Sequence, residues 1–355
     1  MPTIQKQRIH HFDMLKGVAI FLVVMGHVLA FCVREIDRAS IFKVLEQIHM
    51  PLFFFVSGWF TYKLNDRGQM ILPKIMSRAI RLMLPMVVVS SIWVLYFPHS
   101  GIETPFASTF EELWTSAYKN GYWFTLVLFE IILLYGLIRP ILNRCKQWWT
   151  SALVVVIVFI AMYLLNGISG RVGEYMSLDM VTAFAPVFLV GLLARRYREG
   201  FEWLADSSAA QTVSLLMSGA AIYVCSWPWE FGIESSQRMI VQAIGHPFLV
   251  LVAYRLFRDW GVAAFAPEAS LLTTRIARMW EYLGTQSLGI YLLHYFFLFP
   301  MGSVVRPWME ACHVAWIPLA AFSAIIAACI VAMVLIVLKL IKPSKTLSLL
   351  LAGNK

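Results

Sequence analysis

Residues 12–28 read FDMLKGVAIFLVVMGHV: two charges, Asp13 and Lys16, then ten residues carrying none, then His27. Together with the apolar residues that follow, this is long enough to cross a bilayer as a helix, which takes about 20 residues. It does not read as a cleaved signal peptide, because the apolar stretch is too long, charges sit within it and no small-residue cleavage site follows. The same texture recurs along the chain. Of 355 residues, 60% are apolar and 14% charged, against about 45–50% and about 25% in soluble domains. A secreted globular enzyme, a coiled coil and a repeat solenoid are excluded. Spans are predicted near 13–34, 46–63, 82–98, 121–138, 150–167, 179–194, 209–226, 239–257, 283–300 and 314–338. The expected fold class is all-α: a polytopic helical membrane protein with about ten transmembrane helices, forming one integral-membrane domain over 1–355.

The net charge of +9 would suggest nucleic acid in a soluble protein. Here it has a simpler source in the basic residues that flank membrane spans on the cytoplasmic side. With the N-terminus inside, 22 of the 29 Lys and Arg residues fall in cytoplasmic connections. Only Arg34, Arg38, Lys43, Lys119, Arg171, Arg238 and Arg306 fall outside. Both termini are therefore expected in the cytoplasm, with membrane lipids as partners and no nucleic acid. The cysteines (Cys32, Cys145, Cys225, Cys312, Cys329) show no zinc-ligand spacing, so no metal is expected and most read as buried small hydrophobes. Cys225 and Cys312 could meet outside the membrane. The longest connections are Arg258–Tyr282 and Pro98–Asn120; the second carries Phe106, Phe110, Glu111, Glu112, Trp114 and Tyr118, as an interfacial helix would.

With short loops, function must come from polar groups in the spans and at their mouths. An ionisable side chain inside the membrane is costly and marks a functional candidate. The candidates are His27, Glu130, His246 and His294, with Lys16, His49, Asp179 and the arginines nearer the edges. Lys16 and His27 are eleven residues apart, so they share a helix face about 16 Å apart along the axis. Either Lys16 snorkels and His27 bonds a neighbouring helix, or the face is a polar track leading to a base. Ser57-Gly58, in the run His49-Met50-Pro51 to Gly58, serves close helix packing or chemistry. Arg78 and Arg81, with Lys74, are plain cytoplasmic flanking charges or a phosphate seat at a helix N-terminus. Ser287, Tyr291 and His294 share one face of the ninth span. Depth bookkeeping brings Glu130 level with His27 and His294; its alternative is a protonated or helix-paired acid.

Taken together these stretches resemble the acyltransferase-3 family of integral-membrane acyltransferases. The carriers are Lys16 and His27 in the first span; Phe53, Phe54, Ser57 and Gly58 as FFxxSG in the second; Arg78 and Arg81 as RxxR; then Trp123-Phe124, Gly191 and the run SLGIYLLH at Ser287–His294. The likeness runs in order from residue 8 to about 300. It implies an acyl-CoA donor, the acetyl form (acetyl-CoA) in the family's bacterial O-acetylases, used from the cytosol at a bacterial cytoplasmic (inner) membrane. It also implies a hydroxyl acceptor on a cell-surface or lipid-linked carbohydrate. Within it, His27 is the expected base, Arg78 and Arg81 with Lys74 hold the CoA phosphates, and Lys16 lines the donor's route. Ser57 is a hydroxyl donor or pocket wall, with His294 and Glu130 as further site residues. Two departures stand out: lysine replaces the arginine common in the first span, and no hydrolase-like domain of the kind fused to some relatives is expected within 1–355. A sugar transporter or flippase on the same scaffold is the alternative, although no inverted repeat of broken helices is evident.

Overall fold

A computed structural model describes residues 9–32, 40–96, 110–115, 119–303, 305, 307 and 316–353. Arg8, Arg34, Arg38, Phe106, Tyr118, Arg306 and Cys312 lie outside the described residues, so the Cys225–Cys312 expectation lies there too. The helices are α1 (His10–His27), continued by a π-helical turn Val28–Cys32, then α2 (Ser40–Thr61), α3 (Ile75–Tyr96) and α4 (Phe110–Thr115). After a 3-10 turn at Lys119–Gly121 come α5 (Trp123–Arg144), α6 (Trp148–Ile168), α7 (Arg171–Tyr175), α8 (Leu178–Arg196), α9 (Arg198–Asp206) and α10 (Ser208–Ser226). A 3-10 turn, Pro228–Phe231, leads to α11 (Ser235–Ala264), α12 (Leu271–Thr285) and α13 (Ser287–Leu293). The chain ends with α14 (Trp316–Ile341) and α15 (Lys345–Ala352). No named strand occurs among the described residues.

Lipid offers the backbone no hydrogen bonds, so each crossing segment must satisfy its own. Eight described helices are long and apolar enough to cross a membrane. They correspond to eight of the expected spans, and the other two differ for physical reasons. Helix α2 is 22 residues long, but Glu46, Gln47, His49 and Pro51 dilute its hydropathy. The ninth span, expected as one segment over 283–300, is broken. It comprises the end of α12, the short α13 and a 3-10 turn His294–Phe297. The third span starts at Ile75, seven residues before the expected edge, which places Arg78 and Arg81 inside α3.

Glycines set the closest crossings. A Cβ on Gly17 of α1 would strike the backbone of Trp280 on α12, and one on Gly284 would strike that of Asp13. Likewise Gly58 of α2 meets the Phe188 carbonyl of α8, and Gly191 of α8 meets that of Phe55. Small residues let helix backbones approach where lipid supplies no hydrophobic drive. Helices α1, α2 and α8 thereby form the interior, while α6 and α10 are mostly exposed. Between α8 and α10, helix α9 is tied to α11 by Glu202. Burial pushes this carboxyl up, but hydrogen bonds from Tyr254, Arg258 and Arg198 outweigh it and hold it below the usual carboxylate range.

Candidate active site

Helix α1 loses its α-helical pitch at the residue after His27, and α13 gives way to a 3-10 turn at His294. Such local changes of pitch are frequent at functional sites. They bring the two imidazoles together: His27 Nδ1 lies 2.7 Å from His294 Nε2, with the rings nearly parallel at 6°. His294 Nδ1 lies 3.0 Å from the Ile290 carbonyl. A carbonyl only accepts, so His294 Nδ1 carries the proton, and in a neutral ring its Nε2 is bare. His27 Nδ1–H must then donate to that Nε2. The remaining nitrogen, His27 Nε2, is left with a lone pair, 3.1 Å from the Tyr295 hydroxyl that donates to it. His294 and Tyr295 are fully buried, whereas His27 is only partly so. The reactive lone pair thus sits on the most accessible member of the chain.

A shell of tyrosines holds this arrangement. Tyr291 donates to the Gly121 carbonyl at 2.6 Å and accepts from the Phe124 amide at 3.1 Å. Tyr122 donates to the Leu292 carbonyl at 3.2 Å. The start of α5 is thereby stapled to α13. Gly121 has φ +87°, a conformation that glycine adopts without penalty, and a Cβ there would collide with the Tyr295 hydroxyl. The preceding turn is anchored by Lys119, fully buried, whose Nζ donates to the Trp114 and Glu174 carbonyls at 2.6 and 2.8 Å. Burial pulls this ammonium below the usual lysine range, against the opposing influence of Glu130, Asp179 and Glu174.

Lys16, Ile20 and Val23 of α1 line a cavity of about 130 Å³, closed on other sides by Met50, Phe53 and Ser57 of α2 and by Ser287 and Tyr291 of α13. Lys16, Ile20, Val23 and His27 lie on one helical stripe. The cavity therefore lies on the His27 face of α1, although neither histidine lines it; its Tyr291 wall has its ring centroid 6.4 Å from that of His294. Lys16 is paired with Asp13 at 2.7 Å. The lining is chiefly apolar, suited to an acyl chain or a pantetheine-like arm rather than to an ion.

The basic residues divide. Arg78 is half-buried and donates to Thr61 Oγ1 at 2.7 Å, while Thr61 Oγ1 donates to the Ser57 carbonyl at 2.7 Å. Arg81 and Lys74 are exposed. The RxxR spacing thus supplies one guanidinium fastened to the end of the FFxxSG helix and one open to solvent. Glu130 makes no hydrogen bond to the histidines: both of its carboxyl oxygens are buried without a hydrogen-bond partner. Sequence reasoning missed Tyr295, Tyr122, Gly121 and Lys119. The only signal for Tyr295 was its place beside His294.

The model of a family described as an acyltransferase domain matches residues 9–338. Among curated proteins, the nodulation protein NolL of Sinorhizobium fredii is 24% identical over 306 residues, which cover 79% of this chain and 76% of that protein. NolL of Mesorhizobium japonicum is 29% identical over 155 residues, 42% of this chain and 40% of that protein. No solved structure matches the chain significantly.

Proposed function

The chain belongs to the acyltransferase-3 family and is a membrane acyltransferase; from that premise we propose that it moves an acyl group, in the simplest case acetyl, from acyl-CoA to a hydroxyl of a cell-surface or lipid-linked carbohydrate. The observation that supports this most directly is the hydrogen-bonded His27–His294 pair, on the same face of α1 as an apolar cavity lined by Lys16, Ile20 and Val23. In this reading the donor enters from the cytoplasm, with its phosphates at Arg81, Lys74 and Arg78 and its arm past Lys16. The protein lies in a bacterial cytoplasmic membrane with both termini inside. The acceptor reaches His27 from the opposite face.

The reaction follows from the tautomers. His27 Nε2 takes the proton of the acceptor hydroxyl as its oxygen attacks the thioester carbonyl. The resulting imidazolium is stabilised by its Nδ1–H bond to His294, which the Ile290 carbonyl holds in the accepting tautomer. The tetrahedral oxyanion needs donors placed in advance, and the Tyr295 hydroxyl, beside Nε2, is one. Collapse expels the CoA thiolate, which recovers the proton from His27 Nε2. The products are ester and thiol, and the enzyme is unchanged. Ser57 walls the acyl pocket. No GxSxG elbow surrounds it, so it is not the nucleophile.

The test is His27→Ala in membranes, with acyl transfer and acyl-CoA binding measured together. Transfer should fall by about 10²–10⁴-fold, as expected on losing a general base, while donor binding persists. Substantial turnover by this variant would overturn the assignment. Acyl-CoA binding absent from the parent protein would favour a sugar flippase on the same scaffold.

A further inference from the structure

One membrane-embedded histidine takes no part in this chemistry. His246, on α11, is 3% exposed, and neither of its ring nitrogens has a hydrogen-bond partner. A neutral imidazole carries one donor and one acceptor, and leaving both bare in a medium without water is costly. One face of the ring is covered by Phe184, parallel within 3° at 5.8 Å. The ring also borders a small cavity between α2, α10 and α11, lined with Gln47, Ser218, Cys225 and Gln242. Gln242 Nε2 donates to Gln47 Oε1 at 2.9 Å. That bond leaves the Gln47 amide hydrogens and the Gln242 carbonyl oxygen for a further partner. Arg238, Gln242 and His246 recur every fourth residue, one stripe of α11, and at its end Arg238 pairs with Glu46 at 3.6 Å. The cavity is separate from the one at Lys16 and Ser57. Phe184 stacks on Phe54 at 4.7 Å, and Phe54 packs on Phe124 at 5.1 Å, forming an aromatic wall between them.

We propose that this cavity is a second binding site, for a single neutral hydroxyl group held by His246 and the Gln47–Gln242 pair. Two sources share that chemistry: a water molecule, and an alcohol hydroxyl that displaces it. The cavity volume is about 10 Å³, close to the about 10–15 Å³ that one water needs, and a buried water takes two to four polar partners. No charged side chain lines the cavity, which disfavours an ion. Amide, hydroxyl and imidazole groups together can both donate to and accept from a hydroxyl. The alcohol source rests on the reading of the protein as a transferase to hydroxyls; the water source does not.

A cryo-EM map of the full chain in lipid nanodiscs, at a resolution that shows ordered water, tests this. One density peak is expected within hydrogen-bond distance of a His246 ring nitrogen and of the Gln47 or Gln242 amide. A second map with glycerol as probe alcohol separates the sources: an isolated peak that persists means water alone, and continuous density for a larger molecule means an alcohol. His246→Phe should abolish the peak while acyl-CoA binding is unchanged. If that variant fails to fold, Gln47→Leu offers the milder loss of one partner and should weaken the peak. An empty cavity in both maps overturns the proposal without touching the acyl-transfer reading, which the His27 variant tests alone.

Discussion

At His27 the decisive quantity is which nitrogen holds the proton. The Ile290 carbonyl settles it two residues away in the hydrogen-bond chain, through His294. Removing His294 should therefore cost rate without removing the base. His294→Ala loses one hydrogen bond to a group that becomes charged, about 1.5–3 kcal/mol, or roughly ten- to a hundredfold in turnover. Donor affinity should hold. A His294 variant as dead as His27→Ala would make His294 a second reacting group. Tyr295→Phe deletes only the hydroxyl facing Nε2, and losing one oxyanion donor predicts a loss of about 10²–10³-fold in kcat. Gly121→Ala should reproduce that kinetic defect from a distance, because its Cβ displaces the Tyr295 hydroxyl. It should also lower the melting temperature, since φ +87° strains alanine. Full activity in a stable Gly121→Ala protein would remove Tyr295 from the chemistry.

Among elements, α2 and α3 share one fastening, the Arg78–Thr61–Ser57 chain, and it separates two arginines that sequence spacing treats alike. Arg81→Ala should weaken acyl-CoA binding roughly tenfold or more through a lost charge-assisted bond and leave insertion intact. Thr61→Val should release Arg78 and disturb the wall at Ser57, changing KM and kcat together. Equal, purely affinity-based effects from Arg78→Ala and Arg81→Ala would deny Arg78 its structural part. Helix α9 has its own signature. Glu202 titrates below its usual range in the folded protein, so its contribution is complete above the ordinary carboxylate range near 4.5 and is lost as pH falls through the folded value. Acid should loosen the α9–α11 contact first, seen as earlier amide exchange in residues 198–206, and Glu202→Gln should remove that pH dependence.

For the whole molecule the open prediction is orientation. Since 22 of 29 basic residues fall on one side when the N-terminus is inside, reporter fusions at Lys355 should read cytoplasmic and those in the 98–120 connection external. A C-terminus outside would reverse the donor and acceptor faces. The sequence by itself determined the class of fold and eight of the crossing segments, because a bilayer demands long apolar helices whatever their neighbours. It also determined that Lys16 and His27 share a face, since helical pitch is a local property. It did not determine that the ninth span breaks at His294, nor that Tyr295 hydrogen-bonds the pair while Glu130 does not. Periodicity places a residue on a face and at a depth. How two helices are turned toward each other depends on packing summed over the bundle, including the glycine crossings of α1 with α12 and α2 with α8. His27 and His294 are 267 residues apart, and only that packing could bring one imidazole's proton to the other's lone pair.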